Sequence, residues 1–415
     1  MLAIESLSNK ERIFLALLPA LLLFSRGTAD MTVSLCGLFF LWLSYQHKNW
    51  DWAKTTWFKW VWVFWGYLLL INVPLSIDSS DSLFYAITFI RWPLFAAAIA
   101  YWILKDKPRQ RWFLIALILT SLFIVLDTVW QYFTGVDWFG ISSFNDTRLT
   151  GPFRNLIPGT MMVRVWFIML FAVFLIPLLR SQKRQLFYLI ALIALGLAFI
   201  FITGERMAFI VFLAGSTICI TGMFFEYQAH RKQLLVGLFA IAIGFTVLSQ
   251  LDPMMTQRTI ASALDKLAHF PESDYGQVFQ TAVSAWQQHP VFGSGMHTYR
   301  TVCEGIAISS QTNLNCSHPH NLYLHIAAET GLLGLCLFVI MLLMLYINVL
   351  KPLYRSQQWL KMAGSFTILS ASLWPLIGGK SVLNNWIAAL VWLGVGWCLA
   401  IALAHKKQAS NYCFK

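Results

Sequence analysis

The chain has 415 residues, of which 58% are hydrophobic and 12% are charged, and its net charge is +12. Its mean hydropathy of +0.64 excludes a soluble domain, because a chain of this length cannot bury so much apolar surface in its own core. The apolar runs are continuous and do not alternate with polar residues, which favours helices over a β-barrel. We therefore predict an all-α integral membrane protein.

Apolar segments follow one another along the chain, each near the length of about 20 residues that a transmembrane helix needs. We predict about twelve transmembrane helices from this pattern. They lie near residues 13–25, 31–46, 60–77, 83–104, 112–134, 159–179, 186–203, 207–225, 234–250, 332–350, 362–377 and 386–404. Two long loops interrupt them, and loops of this length in a compact protein are usually functional.

The positions of lysine and arginine predict how the segments are oriented. With the N-terminus inside, every inner loop is basic, whereas short outer loops such as 76–82 carry acids instead, as the positive-inside rule requires. Both termini are then cytoplasmic, and the two long loops lie on the outer side of the membrane. Because the net charge mainly reports topology, it predicts contact with membrane lipids and no nucleic-acid partner.

This orientation divides the chain into five parts. They are N-terminal transmembrane helices (1–134), a first outer loop (135–158), central transmembrane helices (159–250), a large outer loop that contains a histidine-rich segment (251–330), and C-terminal transmembrane helices with a cytoplasmic tail (331–415). Within the large loop, residues 277–288 place apolar side chains at helical spacing. We expect an amphipathic helix there, lying along the membrane or covering a cavity.

Several cations lie outside the inner loops or near the outer ends of the spans. They are Arg26, Arg91, Arg148, Arg154, Arg164, Arg206, Arg258, Lys266, Arg300 and Lys380. Arg91 and Arg164 fall within apolar segments, where an unpartnered charge costs about 2.5–3.5 kcal/mol. Any one arginine could snorkel or pair with an acid such as Glu205. Together they indicate a site for a lipid-linked phosphate or pyrophosphate, because the guanidinium fork matches phosphate oxygens.

Two cysteines, Cys303 and Cys316, share the large outer loop. The outer compartment is oxidising, so a disulfide between them is expected to persist. It would close a short loop, which is worth about 3 kcal/mol in the chain-entropy model. Two unpaired thiols are the alternative, and we favour the disulfide.

A histidine cluster precedes the tenth predicted span, in the sequence His318-Pro-His320-Asn321. Imidazole titrates near neutrality, so it can take a proton from a hydroxyl without a metal or a cofactor. Zinc binding is a weaker interpretation, since a His-x-His pair lacks the usual carboxylate or thiolate ligands. We predict His320 as a general base with Asn321 as its hydrogen-bonding partner, and we interpret His325 as a packing residue.

Four short motifs lie in order between residues 145 and 335. They are Arg148-Leu-Thr-Gly151-Pro-Phe-Arg154-Asn155, Thr203-Gly-Glu-Arg206-Met-Ala-Phe, His289-Pro-Val-Phe-Gly293-Ser-Gly295, and His320-Asn321 followed after nine residues by Gly331-Leu-Leu-Gly334. Each motif alone is weak, but four in register are fairly specific. Together they resemble the signature of the bacterial O-antigen ligase and O-antigen polymerase superfamily.

The chain departs from this superfamily at one position. Many members carry an arginine at the start of the amphipathic helix before the Pro-Leu-Phe-Gly turn, where this chain has Tyr275 or Gln277. One expected phosphate contact is therefore missing. Arg300 or Arg258 could replace it, and we favour Arg300 because it is closer to the histidines along the chain.

The resemblance implies a fold like that of class C glycosyltransferases and an O-antigen ligase in the cell inner membrane. Such an enzyme transfers a glycan from undecaprenyl pyrophosphate to a sugar hydroxyl of lipid A-core during lipopolysaccharide synthesis, by an inverting attack that needs no metal or cofactor. His320 would be the base. The expected substrate ligands are Arg206, Arg154, Arg148, Arg164, Arg91, Arg300, His318 and Asn321.

Three other functions remain compatible with the sequence. An O-antigen polymerase or a protein O-oligosaccharyltransferase would share these motifs and differ in its acceptor. A transporter of the lipid-linked glycan would need no base. It would more often place cations at the membrane midplane and show repeat symmetry between its halves, and we find no clear internal repeat.

Overall fold

The computed structural model describes residues 7–144, 147–153, 158–310, 316–375, 383 and 386–412. Throughout these ranges the regular elements are helices, which confirms the predicted all-α class. The α-helices are α1 (Asn9–Leu23), α2 (Arg26–Gln46), α3 (Thr56–Tyr67), α4 (Ser79–Phe89), α5 (Arg91–Ala98), α6 (Lys107–Thr134), α7 (Pro158–Val165), α8 (Ala172–Leu175), α9 (Gln182–Ile202), α10 (Arg206–Glu226), α11 (Arg231–Leu251), α12 (Pro253–Thr256), α13 (Ser262–Ala268), α14 (Asp274–Gln288), α15 (Tyr299–Ser310), α16 (Leu322–Arg355), α17 (Trp359–Leu373) and α18 (Trp386–Tyr412).

Nine helical segments in the described part of the chain are long and apolar enough to cross a membrane. They contain α2, α6, α9, α10, α11, α16 and α18, together with the continuous segments Ser79–Ile103 and Pro158–Leu175. Three other predicted spans correspond to the shorter helices α1, α3 and α17. The chain is thus a multi-pass membrane protein by helix length and composition, and the number of about twelve spans stays a prediction.

Small residues let the central helices approach closely. Gly215 and Gly222 lie on α10 where α17 crosses it, and a Cβ at Gly222 would meet the Cβ of Ala363 at 2.5 Å. Between membrane helices, close backbone approach of this kind replaces the hydrophobic effect as the source of packing energy. The long helix α16 packs against α3, α14, α17 and α18, and therefore connects the outer loop to the centre of the bundle.

The large outer loop folds into the helices α12 to α15. The amphipathic helix predicted at 277–288 exists as α14, which packs against α15 and α16 through the buried side chains of Ala282 and Ala285. Cys303 on α15 forms a disulfide with Cys316, with Cα atoms 5.5 Å apart. This is the pairing that the sequence predicts, and it ties α15 to the segment just before the histidines.

Helix α16 begins earlier than the sequence predicts. The predicted span covers residues 332–350, whereas the helix starts at Leu322 and contains a break at Gly331, where φ is 67° and ψ is −176°. The break divides a short outer part, which follows the histidines, from a long part that crosses the bundle. The break therefore lies between the candidate active site and the membrane-spanning helix.

Candidate active site

The glycines of two motifs meet at the break in α16. The N–H groups at the start of its second half have no intrahelical partner. They donate hydrogen bonds to carbonyl groups of the turn at 290–295. Leu332 donates to the carbonyl of Pro290 at 2.8 Å, and Leu333 donates to that of Val291 at 3.2 Å. A Cβ at Gly331 would collide with the Val291 carbonyl oxygen, so only glycine permits this contact.

The carbonyl groups freed by the break also have partners. Gly295 donates its N–H to the carbonyl of Glu329 at 2.9 Å. The Asn72 side-chain amide donates to the same carbonyl at 2.9 Å, and the Tyr67 hydroxyl donates to the carbonyl of Thr330 at 2.6 Å. The turn, α3 and the π-helical segment Leu68–Asn72 therefore hold the broken helix in place. The motif glycines at this contact stabilise the fold.

A buried contact between a carboxylate and an imidazole supports the first part of α16. The carboxylate of Glu329 is buried, and it lies 3.0 Å from Nε2 of His325, while the backbone N–H of Tyr299 donates to it at 3.4 Å. His325, interpreted as a packing residue, thus has a carboxylate partner. Glu329 was not predicted as part of the site. A lone acid four residues after a histidine in an apolar helix was the available signal, because residues at that spacing share a helix face.

Asn321 caps the N-terminus of α16. Its side-chain oxygen accepts hydrogen bonds from the N–H groups of Tyr323 at 2.9 Å and Leu324 at 3.1 Å. These bonds satisfy donors that the helix leaves unpaired, so the amide oxygen is used by the backbone. The preceding residue, His320, has a φ of 52°, in the left-handed region. Asn321 therefore fixes the start of α16 directly after His320.

His320 lies in a half-buried position beside two other rings. Its ring centroid is 4.1 Å from that of His318 and 5.5 Å from that of Tyr275. Its Nδ1 atom is buried and has no hydrogen-bond partner among the described residues. Burial lowers the pKa of His320 below its ordinary value of 6.5, because it disfavours the charged imidazolium. This shift favours the neutral imidazole, which is the form that a general base requires.

A turn at the start of α10 brings three arginines together. Gly204 has a φ of 70° and contacts the Thr147 carbonyl of the first outer loop, where a Cβ would collide. Its own carbonyl accepts a hydrogen bond from Nε of Arg258 at 3.0 Å. Nη1 of Arg206 donates to the hydroxyl of Ser262 at 2.7 Å. Two outer loops and α10 therefore meet at this turn.

The charges at this turn are predominantly positive. Arg148 forms an ion pair with Glu205 at 2.8 Å. Burial, together with the charges of Arg148 and Arg206, lowers the pKa of Arg258. Three guanidinium groups therefore lie close enough to repel one another around one carboxylate. We call Arg148, Arg206 and Arg258 the arginine cluster. An anion bound among them would relieve this repulsion.

Tyr275 connects the arginine cluster to the histidines. It lies in the first turn of α14 and is, with Gln277, one of the two positions where the superfamily arginine was expected. Its ring contacts His320. The Lys266 ammonium lies 5.8 Å from the centre of the same ring. The phenol is also close enough to Arg258 to influence its pKa. The cluster and the candidate base therefore flank one aromatic side chain.

The other predicted arginines lie in different surroundings. Arg91 is 3.6 Å from Asp30 and stacks on Trp92. Arg300 is exposed on α15 and pairs with Glu304 at 2.7 Å. Each of these two has an acid partner, and neither has a described contact with the histidines.

Arg164 is the deepest of the predicted arginines. Its side chain is only 1% exposed, and its Nη1 donates to the carbonyl of Thr160 one turn earlier. Nε and Nη2 have no hydrogen-bond partner among the described residues. The Thr160 hydroxyl in turn donates to Glu205 at 2.9 Å, so this arginine lies behind the arginine cluster. Arg154 lies outside the described residues.

Within the ranges that the structure describes, no three His, Cys, Asp or Glu side chains are grouped so that they could hold a metal ion.

Residues 190–339 match the model of a family described as O-antigen ligase, which confirms the resemblance to the O-antigen ligase and polymerase superfamily. The matched segment contains the start of α10, the large outer loop, the histidines and the break in α16. Members of this family are glycosyltransferase-like enzymes that use lipid-linked glycans. No curated protein sequence matches the chain.

Proposed function

We propose that the chain is an O-antigen ligase, which transfers a glycan from undecaprenyl pyrophosphate to a sugar hydroxyl of lipid A-core at the periplasmic face of the inner membrane. The proposal rests chiefly on one observation: a half-buried His320 lies beside Tyr275, and Arg258 of the arginine cluster is close to the same side chain. A base next to a phosphate-binding group is what transfer from a lipid pyrophosphate requires.

The arginine cluster would bind the pyrophosphate of the donor. Arg206 and Arg258 have hydrogen bonds to neutral groups and no described acid partner, so their charges are available to an anion. We assign Arg258 ahead of Arg300 as the replacement for the missing superfamily arginine, because Arg300 would first have to leave Glu304. Arg148, Arg154 and Arg164 remain proposed supporting ligands, and Arg91 is the weakest candidate since it pairs with Asp30.

A groove below the site fits the lipid part of such a donor. A cavity of about 220 Å³ lies between α10, α16 and α17. Tyr323, shortly after His320, and Val211, shortly after Arg206, both line it. The remaining lining is mostly apolar, with Ile218, Phe366 and Trp374 among its residues. A polyprenyl chain lying here would place its pyrophosphate at the outer ends of α10 and α16.

These positions support the following reaction. His320 takes the proton of the acceptor hydroxyl, and the resulting oxygen nucleophile attacks the anomeric carbon of the donor sugar. The bond from that carbon to the pyrophosphate oxygen breaks, and the anomeric configuration inverts. Charge grows on the leaving pyrophosphate, where the arginines stabilise it more strongly than in the ground state. His318 is the proposed second imidazole on the acceptor side.

A transfer assay with the purified protein tests this function. Lipid A-core, a second lipid-linked glycan and a protein acceptor are offered in parallel with one labelled donor. Label on lipid A-core supports the ligase. Label on the lipid-linked glycan or on the protein would instead identify a polymerase or a protein O-oligosaccharyltransferase. Donor movement across vesicles without any transfer would identify a transporter. His320→Ala in the same preparation is the control for enzyme-dependent label.

A further inference from the structure

A second cavity lies at the opposite end of α16 from the histidines. Its volume is about 620 Å³, and the start of α3 and the ends of α16 and α18 form its walls. Lys351 and Arg355 line it near the last turns of α16, whereas His320 precedes the first turn. At 1.5 Å per residue these ends are about 45 Å apart along the helix, so the cavity is separate from the candidate active site.

Cations dominate the polar part of this cavity. Lys351, Arg355 and Lys406 line it, and none of them forms an ion pair with a described residue. The described lining residues include no acid. The positive-inside rule explains why inner ends of helices are basic, but it does not require three cations to surround one cavity. Their arrangement favours an anionic occupant.

The N-terminus of α3 adds unpaired donors to the same cavity. Thr55 is the N-cap, but it makes no side-chain capping bond, because its hydroxyl donates to the Trp52 carbonyl at 2.7 Å instead. Thr55, Thr56 and Trp57 all line the cavity. The first N–H groups of a helix and the positive end of its dipole bind anions, phosphates in particular.

Trp57 supplies an independent sign of a missing ligand. Its side chain is 1% exposed, it lines the cavity, and its Nε1 has no hydrogen-bond partner among the described residues. Buried polar groups in native proteins nearly always have a partner. A ligand in the cavity with hydrogen-bond acceptors would provide one.

We propose that this cavity binds the phosphate group of an anionic phospholipid. The phosphate would lie between Lys351, Arg355 and the N-terminus of α3, and an acyl chain would lie along the apolar side chains of Ile347, Leu399 and Leu403. In the predicted orientation this is the cytoplasmic leaflet. The site is distinct from the proposed transferase site and does not depend on the identity of its acceptor.

Lipid binding to the full-length protein in detergent tests the proposal. Native mass spectrometry measures the affinity for phosphatidylglycerol and for phosphatidylcholine. The cavity variant is Lys351→Gln with Arg355→Gln. The control is Lys183→Gln with Arg184→Gln, which removes the same charges from exposed positions at the start of α9. We expect about tenfold weaker phosphatidylglycerol binding in the cavity variant and wild-type binding in the control. Equal loss in both variants, or none in either, would overturn the site.

Two further measurements separate the parts of the site. Thr56→Pro removes one donor from the first turn of α3, and Thr55 already has a φ of −64° and a ψ of 149°, which suit a residue before proline. We expect weaker phosphatidylglycerol binding with an unchanged melting temperature, and unchanged binding would contradict the proposal. Inorganic phosphate at millimolar concentration should compete only weakly. Complete displacement of the lipid by phosphate would show that the site takes a free anion and would overturn the lipid assignment.

Discussion

Two regions contain superfamily motifs, the break in α16 and the candidate active site, and they differ in the kind of polar group that is paired or left without a partner. At the break in α16, the N–H groups of Leu332 and Leu333 both have partners in the turn at 290–295. At the candidate active site, Nδ1 of His320 is buried without a described partner, and so are Nε and Nη2 of Arg164. Both regions contain motif residues.

This difference distinguishes residues that stabilise the fold from residues that take part in the reaction. Satisfied backbone groups hold one conformation, whereas buried polar groups without partners cost free energy and persist where a substrate uses them. Gly331, Gly293 and Gly295 would therefore affect folding when changed. His320, Arg206 and Arg258 would affect transfer and leave folding intact. Each of the following variants tests one side of that division.

The largest expected effect is that of Gly331→Ala. The new Cβ would collide with the Val291 carbonyl, and the backbone conformation, with a φ of 67° and a ψ of −176°, adds about 1–3 kcal/mol for a residue other than glycine. We expect loss of a monodisperse protein in size-exclusion chromatography, or a greatly reduced melting temperature. Gly305→Ala is the control, because Gly305 lies in α15 with no atom near the added Cβ. A wild-type melting temperature for Gly331→Ala would show that the break is not fixed by this contact.

The next largest effect concerns the arginine cluster. Arg206→Lys keeps the charge but loses the bidentate fork, so we expect kcat/KM for the donor to fall by about 10²-fold with unchanged folding. Arg300→Lys is the matched control, since Arg300 is exposed and paired with Glu304. It should retain nearly wild-type activity. Equal losses in the two variants would remove the distinction between the cluster and the other outer arginines.

The fold class and the residues near the site could be predicted from the sequence. Which of these residues contact one another could not be predicted as well. Hydropathy predicts the spans because each helix that crosses the bilayer needs about 20 consecutive apolar residues. Arg300 is nearer to His320 along the chain than Arg258 is, yet Arg258 has the described connection to the site through Tyr275. Contacts between distant segments depend on how the outer loops fold, and one sequence does not report this.

The break in α16 could not be predicted for a similar reason. Glycine at position 331 is compatible with an ordinary helix, and its left-handed φ follows from the insertion of the turn at 290–295. The function of Glu329 likewise depends on burial against Tyr299 and His325. The histidine motif could be predicted because its residues are adjacent in the sequence. The residues that hold it in place come from distant segments and are known only from the tertiary structure.

A smaller effect is expected from the disulfide. Cys303→Ala with Cys316→Ala opens a bridge between residues 13 positions apart, which should lower the free energy of unfolding by about 2–3 kcal/mol. Transfer at low temperature should persist, because the bridge supports the histidine segment without contacting His320. Thermal unfolding under oxidising conditions measures the change, with Cys336→Ala as the control at a free, exposed cysteine. An unchanged melting temperature would show that the bond does not stabilise the loop.

The smallest effect is a shift in pH dependence. Burial lowers the pKa of His320 below 6.5, and the neutral form is the base, so activity is retained above that pKa and lost as the pH falls through it. We expect kcat/KM to be nearly constant between about pH 7 and 8, with its acid limb below 6.5. An acid limb above pH 7 would mean that a different group is the base.

The role of His320 as the base that acts on the acceptor is tested most directly by measuring donor binding and transfer in the same His320→Ala preparation. We predict that transfer to lipid A-core falls by about 10²–10⁴-fold, while affinity for undecaprenyl pyrophosphate and the melting temperature stay at wild-type values. His318→Ala should lose less activity. Robust turnover of His320→Ala at neutral pH, or loss of donor binding equal to its loss of transfer, would contradict the assignment.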